Sequence, residues 1–331
     1  MSKTALYNTY DNSPKVQQIV ERLGESNPLK MQLDGLLGSA VSFIIRALFK
    51  KSERPFLIVL NDKEEAAYYL NDLEQMIGEQ DVLFYPGSYR RPYQIEDTDN
   101  ANVLLRAEVL NRINSRKKPA VIVSYPEALF EKVVTRKDLD KNTLKVSVGD
   151  KISIDFINEV LFEYEFKRVD FITEPGEFSV RGGIVDVFSF SNENPYRIEF
   201  FGNEVDSIRS FDVGTQLSIE IQKKITIIPN VENKIFQENR ESFLDYISEK
   251  TVIFIQNAEG FLSQLDKQFA KAEEAFEKLS KDIKHATPDQ LFLNQRTFIK
   301  RALDFSIVEL SSKPIFKIAE KFEFHMQPQP S

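Results

Sequence analysis

The sequence predicts an α/β protein built on a parallel sheet, with a β-rich stretch in the middle of the chain. Three observations carry this. Up to residue 142, compact apolar runs alternate with runs of 3–4 spacing, the pattern of β-strands joined by right-handed helical crossovers. The same alternation returns after residue 231. Between them, from Gly176 to Val213, short runs of strand composition follow one another across turn signals.

In the first part, Pro14–Leu23 reads as a short helix. Gly35 to Ser42 then leads into an apolar helical run, Phe43–Phe49. Pro55–Leu60 is a compact strand. Lys63–Ile77 is a helix with Ala66, Ala67, Leu70, Leu73 and Ile77 near one face. Asp81–Tyr85 is a strand stopped by Pro86-Gly87. Ser88–Asp99 is a polar loop carrying Tyr89, Arg90, Arg91 and Tyr93, read as a surface loop packed by its own tyrosines. Thr98 or Asp99 caps a helix that runs to Ile113. Ala120–Ser124 is a third strand, and Pro126–Val134 is a helix with proline near its start.

Leu144–Val148 passes through Gly149-Asp150 into the middle stretch. There Ser153–Glu163 is a helix with Ile154, Ile157 and Leu161 on one face. Phe178–Arg181 meets Gly182-Gly183, a two-residue hairpin signal. Ile184–Phe190 and Tyr196–Phe201 follow, and Gly202-Asn203 reverses the chain into Val205–Phe211. The stretch ends near Ile225–Pro229. In the last part, Phe243–Ile247 is helical and Thr251–Ile255 is a buried strand. Glu259–Lys284 is a long helix whose stripe is Phe261, Leu265, Phe269, Ala272 and Phe276. Leu291–Leu303 is a helix and Phe305–Glu309 a strand. The ending Met326–Ser331, rich in Pro and Gln, reads as a linker, so the chain is expected to be a piece of a longer protein.

Composition narrows the function. Of 331 residues, 43 are Lys or Arg and 51 are Asp or Glu, a net charge of −8, which argues against a dedicated nucleic-acid binder. Cysteine is absent and there are two histidines, His285 and His325, so thiolate chemistry is excluded and a histidine metal site is not expected. No catalytic residue, metal or cofactor is read from the sequence. No apolar run reaches the length of a membrane span and the first residues are no signal peptide, so a cytoplasmic protein is expected.

Two places invite a functional reading. Gly35 to Ser42 lies where a phosphate-binding loop would precede its helix. Against the pattern G-x-x-x-x-G-K-[ST], Gly35 and Ser42 fit, with Gly38 between, but Ala40 stands at the second glycine and Val41 at the lysine. Valine has no charge to offer a phosphate. On pattern alone an unrelated loop and helix is the simpler reading. The second place is the β-rich stretch. Alternation puts Tyr196, Ile198 and Phe200 inside and Arg197, Glu199 and Phe201 outside. It also puts Phe178 and Val180 inside and Ser179 and Arg181 outside. Two arginines and a phenylalanine then share one outward surface, a composition enriched at interface hot spots. Pattern alone favours plain solvated surface; a binding patch is the alternative.

The run Gly176-Glu177-Phe178, Arg181-Gly182, then Arg197-Ile-Glu-Phe-Phe-Gly-Asn-Glu-Val-Asp-Ser-Ile208 resembles the second domain of the excision-repair protein UvrB. It is closer to the matching domain of the bacterial transcription-repair coupling factor (Mfd) family, and the resemblance covers nearly the whole chain. It implies a degenerate P-loop-NTPase-like domain in two chain halves, 1–142 and 231–331. Between them lies an inserted β-rich α+β domain, 143–230, that binds UvrA. It implies UvrA contacts at Arg181, Arg197 and Phe201, and a non-functional loop at Gly35, Gly38, Ala40, Val41 and Ser42. UvrB carries a long aromatic-rich hairpin where this chain has only the Ser88–Asp99 loop. In such a family the full-length protein is an ATP-dependent DNA translocase whose later domains engage RNA polymerase and DNA, and whose C-terminal domain masks the UvrA surface. This chain is then expected to be a non-enzymatic adaptor. A nucleotide-binding, UvrB-like damage-handling protein is the alternative, disfavoured by Val41. A scaffold with ordinary surface at the three residues is a third reading.

Overall fold

The computed structural model describes residues 3–25, 27–88, 93, 100–115, 118–232, 240–279 and 285–325. The first part runs α1 (Lys3–Asp11), α2 (Pro14–Leu23), β1 (Lys30–Asp34), α3 (Ala40–Ser52), β2 (Phe56–Val59), α4 (Lys63–Ile77), β3 (Val82–Phe84), α5 (Asn100–Ser115), β4 (Val121–Ser124), α6 (Pro126–Phe130), β5 (Val133–Val134) and α7 (Arg136–Lys141). The middle runs β6 (Leu144–Ser147), α8 (Ile154–Glu163), β7 (Lys167–Arg168), β8 (Glu177–Arg181), β9 (Ile184–Val187), β10 (Tyr196–Phe201), β11 (Glu204–Phe211), β12 (Ser218–Ile221) and β13 (Lys224–Ile227). The last part runs β14 (Arg240–Glu241), α9 (Phe243–Tyr246), β15 (Val252–Ile255), α10 (Ala258–Glu277), α11 (Pro288–Leu291), α12 (Gln295–Ala302), β16 (Ser306–Glu309) and β17 (Glu320–Glu323).

Seven strands form one parallel sheet in the order β17-β1-β16-β15-β2-β4-β3. Its central strands β2 and β15 are apolar throughout. Every residue of β2, β4 and β15 is buried, as a strand covered on both faces requires. The helices are started by local chemistry: Asp62 caps α4 by accepting from the Glu65 N–H at 2.8 Å, and Asn257 caps α10 by accepting from Gly260 at 3.0 Å. Strands β15 and β16, from the last part of the chain, lie between β1 and β2 of the first part. The two chain parts therefore make one sheet.

The middle stretch builds a separate six-stranded sheet in the order β12-β11-β10-β9-β8-β7, antiparallel except where β7 meets β8. Its inner face carries Phe178, Val185, Ile198, Val205 and Ile208, buried with Ile157 and Leu161 of α8. Ser153 caps α8 by accepting from the Phe156 N–H at 3.1 Å. The fold is thus an α/β parallel-sheet body with a β-rich segment placed between its two halves.

Several elements differ from the sequence reading. The run Pro126–Val134 is not one helix. It stops at Phe130, because the Glu131 carboxylate turns to accept the Ser88 N–H at 2.9 Å and the Lys132 N–H is given to Leu291 O at 2.8 Å. Val133 and Val134 then pair with Glu241 and Arg240. The run Leu291–Leu303 is two short helices, because Leu293 gives its N–H to Phe130 O. The helix at Phe43 starts earlier, at Ala40. α1, β1, β12 and β17 have no counterpart in the sequence reading. The caps Thr98 and Asp99, most of the Ser88–Asp99 loop, residues 280–284 and the tail 326–331 lie outside the described residues. Tyr93 of that loop packs on the body of the protein. Its ring lies 5.7 Å from both Phe276 and Phe292, and its hydroxyl donates to Ala286 O at 2.8 Å.

Where the chain returns from the middle stretch, a buried ionic cluster joins three segments. Arg106 of α5 is fully buried, with Nε 2.9 Å from Glu232 and Nη1 3.2 Å from Glu131. Arg240 holds the other Glu232 oxygen at 2.7 Å, and Arg106 also donates to Pro86 O at 2.9 Å. Burial pushes the Glu131 carboxyl up, and the Arg106 charge pulls it back. Two buried carboxylates facing one another are tolerable only with the guanidiniums between them. Arg106→Met is expected to cost about 3–5 kcal/mol of stability, as loss of one partner of a buried pair does. Denaturant unfolding checks this; a loss below about 1 kcal/mol would mean that the carboxylates are neutralised without Arg106.

Candidate functional site

The turn Gly182-Gly183 sets the site. Gly182 sits at φ 58°, a left-handed conformation that glycine adopts without strain, and it reverses β8 into β9. The register then lines up the strands. Ser179 faces Asp186, Asp186 faces Arg197, and Arg197 faces Arg209. One row further along, Arg181 faces Ile184, Ile184 faces Glu199, and Glu199 faces Ser207. Phe201 closes the face opposite Glu204.

Arg181, Arg197 and Phe201 therefore lie on one face of the sheet, as alternation requires. What joins the arginines is a residue the sequence reading did not single out. Asp186, buried on β9, accepts from Arg197 Nε at 2.7 Å and from Arg197 Nη2 at 2.8 Å, and it also pairs with Arg181 Nη2. Gln216 takes a further Arg197 N–H at 3.1 Å, and the guanidinium lies 4.4 Å from the centre of the Phe211 ring. Hydrogen bonding to Asp186 pushes the Arg197 guanidinium up. Arg181 is more open and lies 5.1 Å from the centre of the Phe171 ring. Phe201 is 84% exposed and Phe171 65%. Beside them, Glu199 pairs with Arg209 and accepts from Ser207 Oγ at 2.6 Å. Two guanidiniums on one carboxylate leave a surplus positive charge there, on a chain of net charge −8.

The outward face is not uniformly open. Residues 169–173 fold across one end of it, and Ile172, Phe188 and Phe211 make a small second core with Val169 and Val213. Ser179, expected outside, is buried under this loop and donates to Asp170 O at 3.0 Å. Arg197, expected as plain outward surface, keeps only 15% of its side chain exposed. The signal for Asp186 was available: it is the single carboxylate in Ile184–Phe190, on the side of the strand shared with Arg197.

The Gly35–Ser42 loop has the geometry of its position but spends its polar groups internally. Gly35, at φ 80°, packs against the backbone just after the last strand so tightly that a Cβ would stand 1.9 Å from Phe324 O. Gly38 is also left-handed, at φ 53°. Ser42 is buried and donates to Asp72 at 3.3 Å; Ser39 Oγ is 3.1 Å from the Tyr68 hydroxyl. Ala40 and Val41 are buried in the first turn of α3. No group of three His, Cys, Asp or Glu side chains placed to hold a metal occurs among the described residues. No described helix is long and apolar enough to cross a membrane.

The β-rich segment set between the two halves of the parallel-sheet body gives the class: residues 144–232 match the UvrB interaction domain family. Over about two thirds of its length the chain is a relative of the transcription-repair-coupling factors. It is 33% identical over 237 residues to that of Bacillus subtilis (strain 168), covering 71% of this chain and 20% of the relative. It is 29% identical over 230 residues to that of Myxococcus xanthus (67% and 19%) and 25% identical over 197 residues to that of Escherichia coli (strain K12) (60% and 17%). The chain spans about a fifth of the length of these relatives.

The ion pairs separate residues that alternation treats alike. Phe201→Ala is expected to change stability by no more than about 0.5 kcal/mol, as exposed positions do. Asp186→Ala is expected to cost about 2 kcal/mol, because it removes charged hydrogen bonds from the half-buried Arg197. Denaturant unfolding of the two variants checks the ranking; equal stability would place the Asp186 pairs among surface contacts of little energy.

Proposed function

We propose that this chain is the N-terminal adaptor module of a transcription-repair coupling factor, and that it docks UvrA to bring excision repair to stalled RNA polymerase. The observation that carries the reading is the Arg181–Asp186–Arg197 arrangement beside an 84%-exposed Phe201, within a segment that matches a UvrB interaction domain. Asp186 leaves Arg181 Nε and Nη1 and Arg197 Nη1 to partner carboxylates, and guanidinium forks favour such pairing. Phe201 supplies an apolar anchor. The docking domain is taken as 143–230, set between body halves 1–142 and 231–331. In the intact protein this surface is covered by the protein's own C-terminal domain, and later domains engage RNA polymerase and DNA. The protein works in the cytoplasm.

The alternative, a nucleotide-binding UvrB-like protein, is disfavoured by Val41 and by the internal use of Ser39 and Ser42. Titration with a fluorescent ATP analogue is expected to show no saturable micromolar binding; binding lost on mutating Gly35–Ser42 would reverse this. Gel shifts with duplex DNA at physiological salt are expected to show no discrete complex.

UvrA binding is tested by titrating purified UvrA against the chain. Alanine at Arg181, Arg197 or Phe201 is expected to weaken binding by about 1–4 kcal/mol, the hot-spot range. Arg181→Lys rescues poorly, since the charge stays and the fork is lost. Full affinity in all three alanine variants, with folding intact, would remove the assignment.

A further inference from the structure

The two edges of the six-stranded sheet differ. An open edge presents unpaired backbone groups, and proteins usually blunt it with charge or short length. The β7 edge is blunted: it is Lys167 and Arg168 alone, both exposed. The β12 edge is also short, four residues with a register irregularity opposite Ser210 and Phe211, but it is apolar: Leu217 just before it, Ile219 and Ile221 are 68%, 56% and 83% exposed, three apolar side chains within five residues. With Phe171 and Phe201 they form five of the twelve large exposed apolar side chains among the described residues, all on this one sheet, the loop across its face or the turn into β12. Such a concentration marks an interaction surface rather than scattered exposure.

The register shows how β12 joins the arginine face. Ile221 stands opposite Arg209, which stands opposite Arg197 and then Asp186, so all four occupy one row of the sheet. Two strand spacings, about 10 Å, separate Arg197 from Ile221, well within one standard interface. The backbone direction follows from the ladder. Gln222 gives its N–H to Ile208 O, which makes Gln222 and Ile208 a hydrogen-bonded pair. Pairs alternate along antiparallel strands, so Ile221 and Arg209 are the non-bonded kind. The Ile221 N–H and C=O therefore point away from β11, to the free edge. Its side chain stays beside Arg209 on the arginine face.

We propose that the free edge of β12 is the second half of the docking surface, and that it pairs with an extended segment of the same partner whose carboxylates engage Arg181 and Arg197. This rests on the UvrA reading and adds its geometry: main-chain pairing along Ile219–Ile221, with apolar side chains beside the two isoleucines and acidic ones toward the arginines. Continuity selects this occupant over a second copy of the chain. The row runs without a break from the arginine pair to the edge, and the surplus positive charge calls for carboxylates on that face, whereas the one carboxylate of β12, Glu220, stands opposite Ser210 on the other face of the sheet.

The test uses the whole chain and purified UvrA. Ile221→Pro removes the outward N–H and leaves the β11 ladder intact, since an edge strand tolerates proline where its N–H faces solvent. It is expected to weaken UvrA binding at least tenfold without lowering the melting temperature, while Ile221→Val stays within twofold. In the unsubstituted chain, hydrogen exchange at the Ile221 amide is expected to slow at least tenfold on adding UvrA. Undiminished binding by a folded Ile221→Pro variant, or an Ile221 amide that UvrA leaves unprotected, would overturn the edge assignment alone if Arg181→Ala still loses binding. No binding of UvrA by the unsubstituted chain would remove the UvrA reading itself, and the edge assignment with it.

Discussion

Strand β1 has no sheet neighbour in its own part of the chain. Its backbone groups pair with β16 on one side and β17 on the other, both contributed by residues beyond 300. A strand without a ladder leaves its N–H and C=O groups unsatisfied, which a buried segment cannot sustain. Residues 306–323 must therefore return to Lys30–Asp34 before the sheet is complete. The loop this closes contains the entire β-rich segment. Closure entropy grows only logarithmically with length, so a large intervening domain is tolerated provided its ends lie close together. The ionic cluster at Arg106 sits near one such end, tying Glu232 to α5 and α6.

This dependence explains what was legible in the sequence and what was not. The strands Phe56–Val59, Val121–Ser124 and Val252–Ile255 were legible because burial on both faces demands uninterrupted apolar or small residues, and Ser306–Glu309 was legible from its apolar centre, Ile307-Val308. Helix α4 was legible to the residue, since its cap and stripe are local. Strand β1, Lys-Met-Gln-Leu-Asp, was not, because its polar residues are accommodated by distant groups: Gln32 donates to Ser311 O at 2.8 Å and Lys30 to Leu303 O at 3.0 Å. Strand β17, with its alternating charges, is an edge held by β1 alone. The helix expected over Pro126–Val134 failed for the same kind of reason. Its local propensity was overridden by Glu131 reaching Ser88, a contact across the fold.

The site was legible as a face but not as a mechanism of support. Alternation is local, so it identified Arg181, Arg197 and Phe201 as sharing one surface. Which of them is free, and what aligns the others, depends on strand register and on the 169–173 loop, which are tertiary. Two guanidiniums on one surface repel one another, and a buried carboxylate between them removes that repulsion while fixing the direction of both. Asp186 thus has a structural duty that constrains the strand from within, and the arginines keep outward N–H groups because their inward ones are already committed.

The same contrast accounts for the Gly35–Ser42 loop. Gly35 is required there by the Phe324 carbonyl, which leaves no room for a Cβ, and so the glycine answers to the sheet edge rather than to any ligand. Ser42 answers to Asp72 on α4, and the helix begins at Ala40 with apolar side chains turned into the body. A loop can keep the bend and helix start of a phosphate cradle once packing alone maintains them. The lysine of that motif has no packing duty, since its role is to meet a phosphate, and valine stands in its place, next to an alanine at the second glycine. In the β-rich sheet the balance is reversed: there, Phe201 and Ile221 stand exposed, and it is on such side chains, turned to solvent rather than into the body, that the proposed docking surface is built.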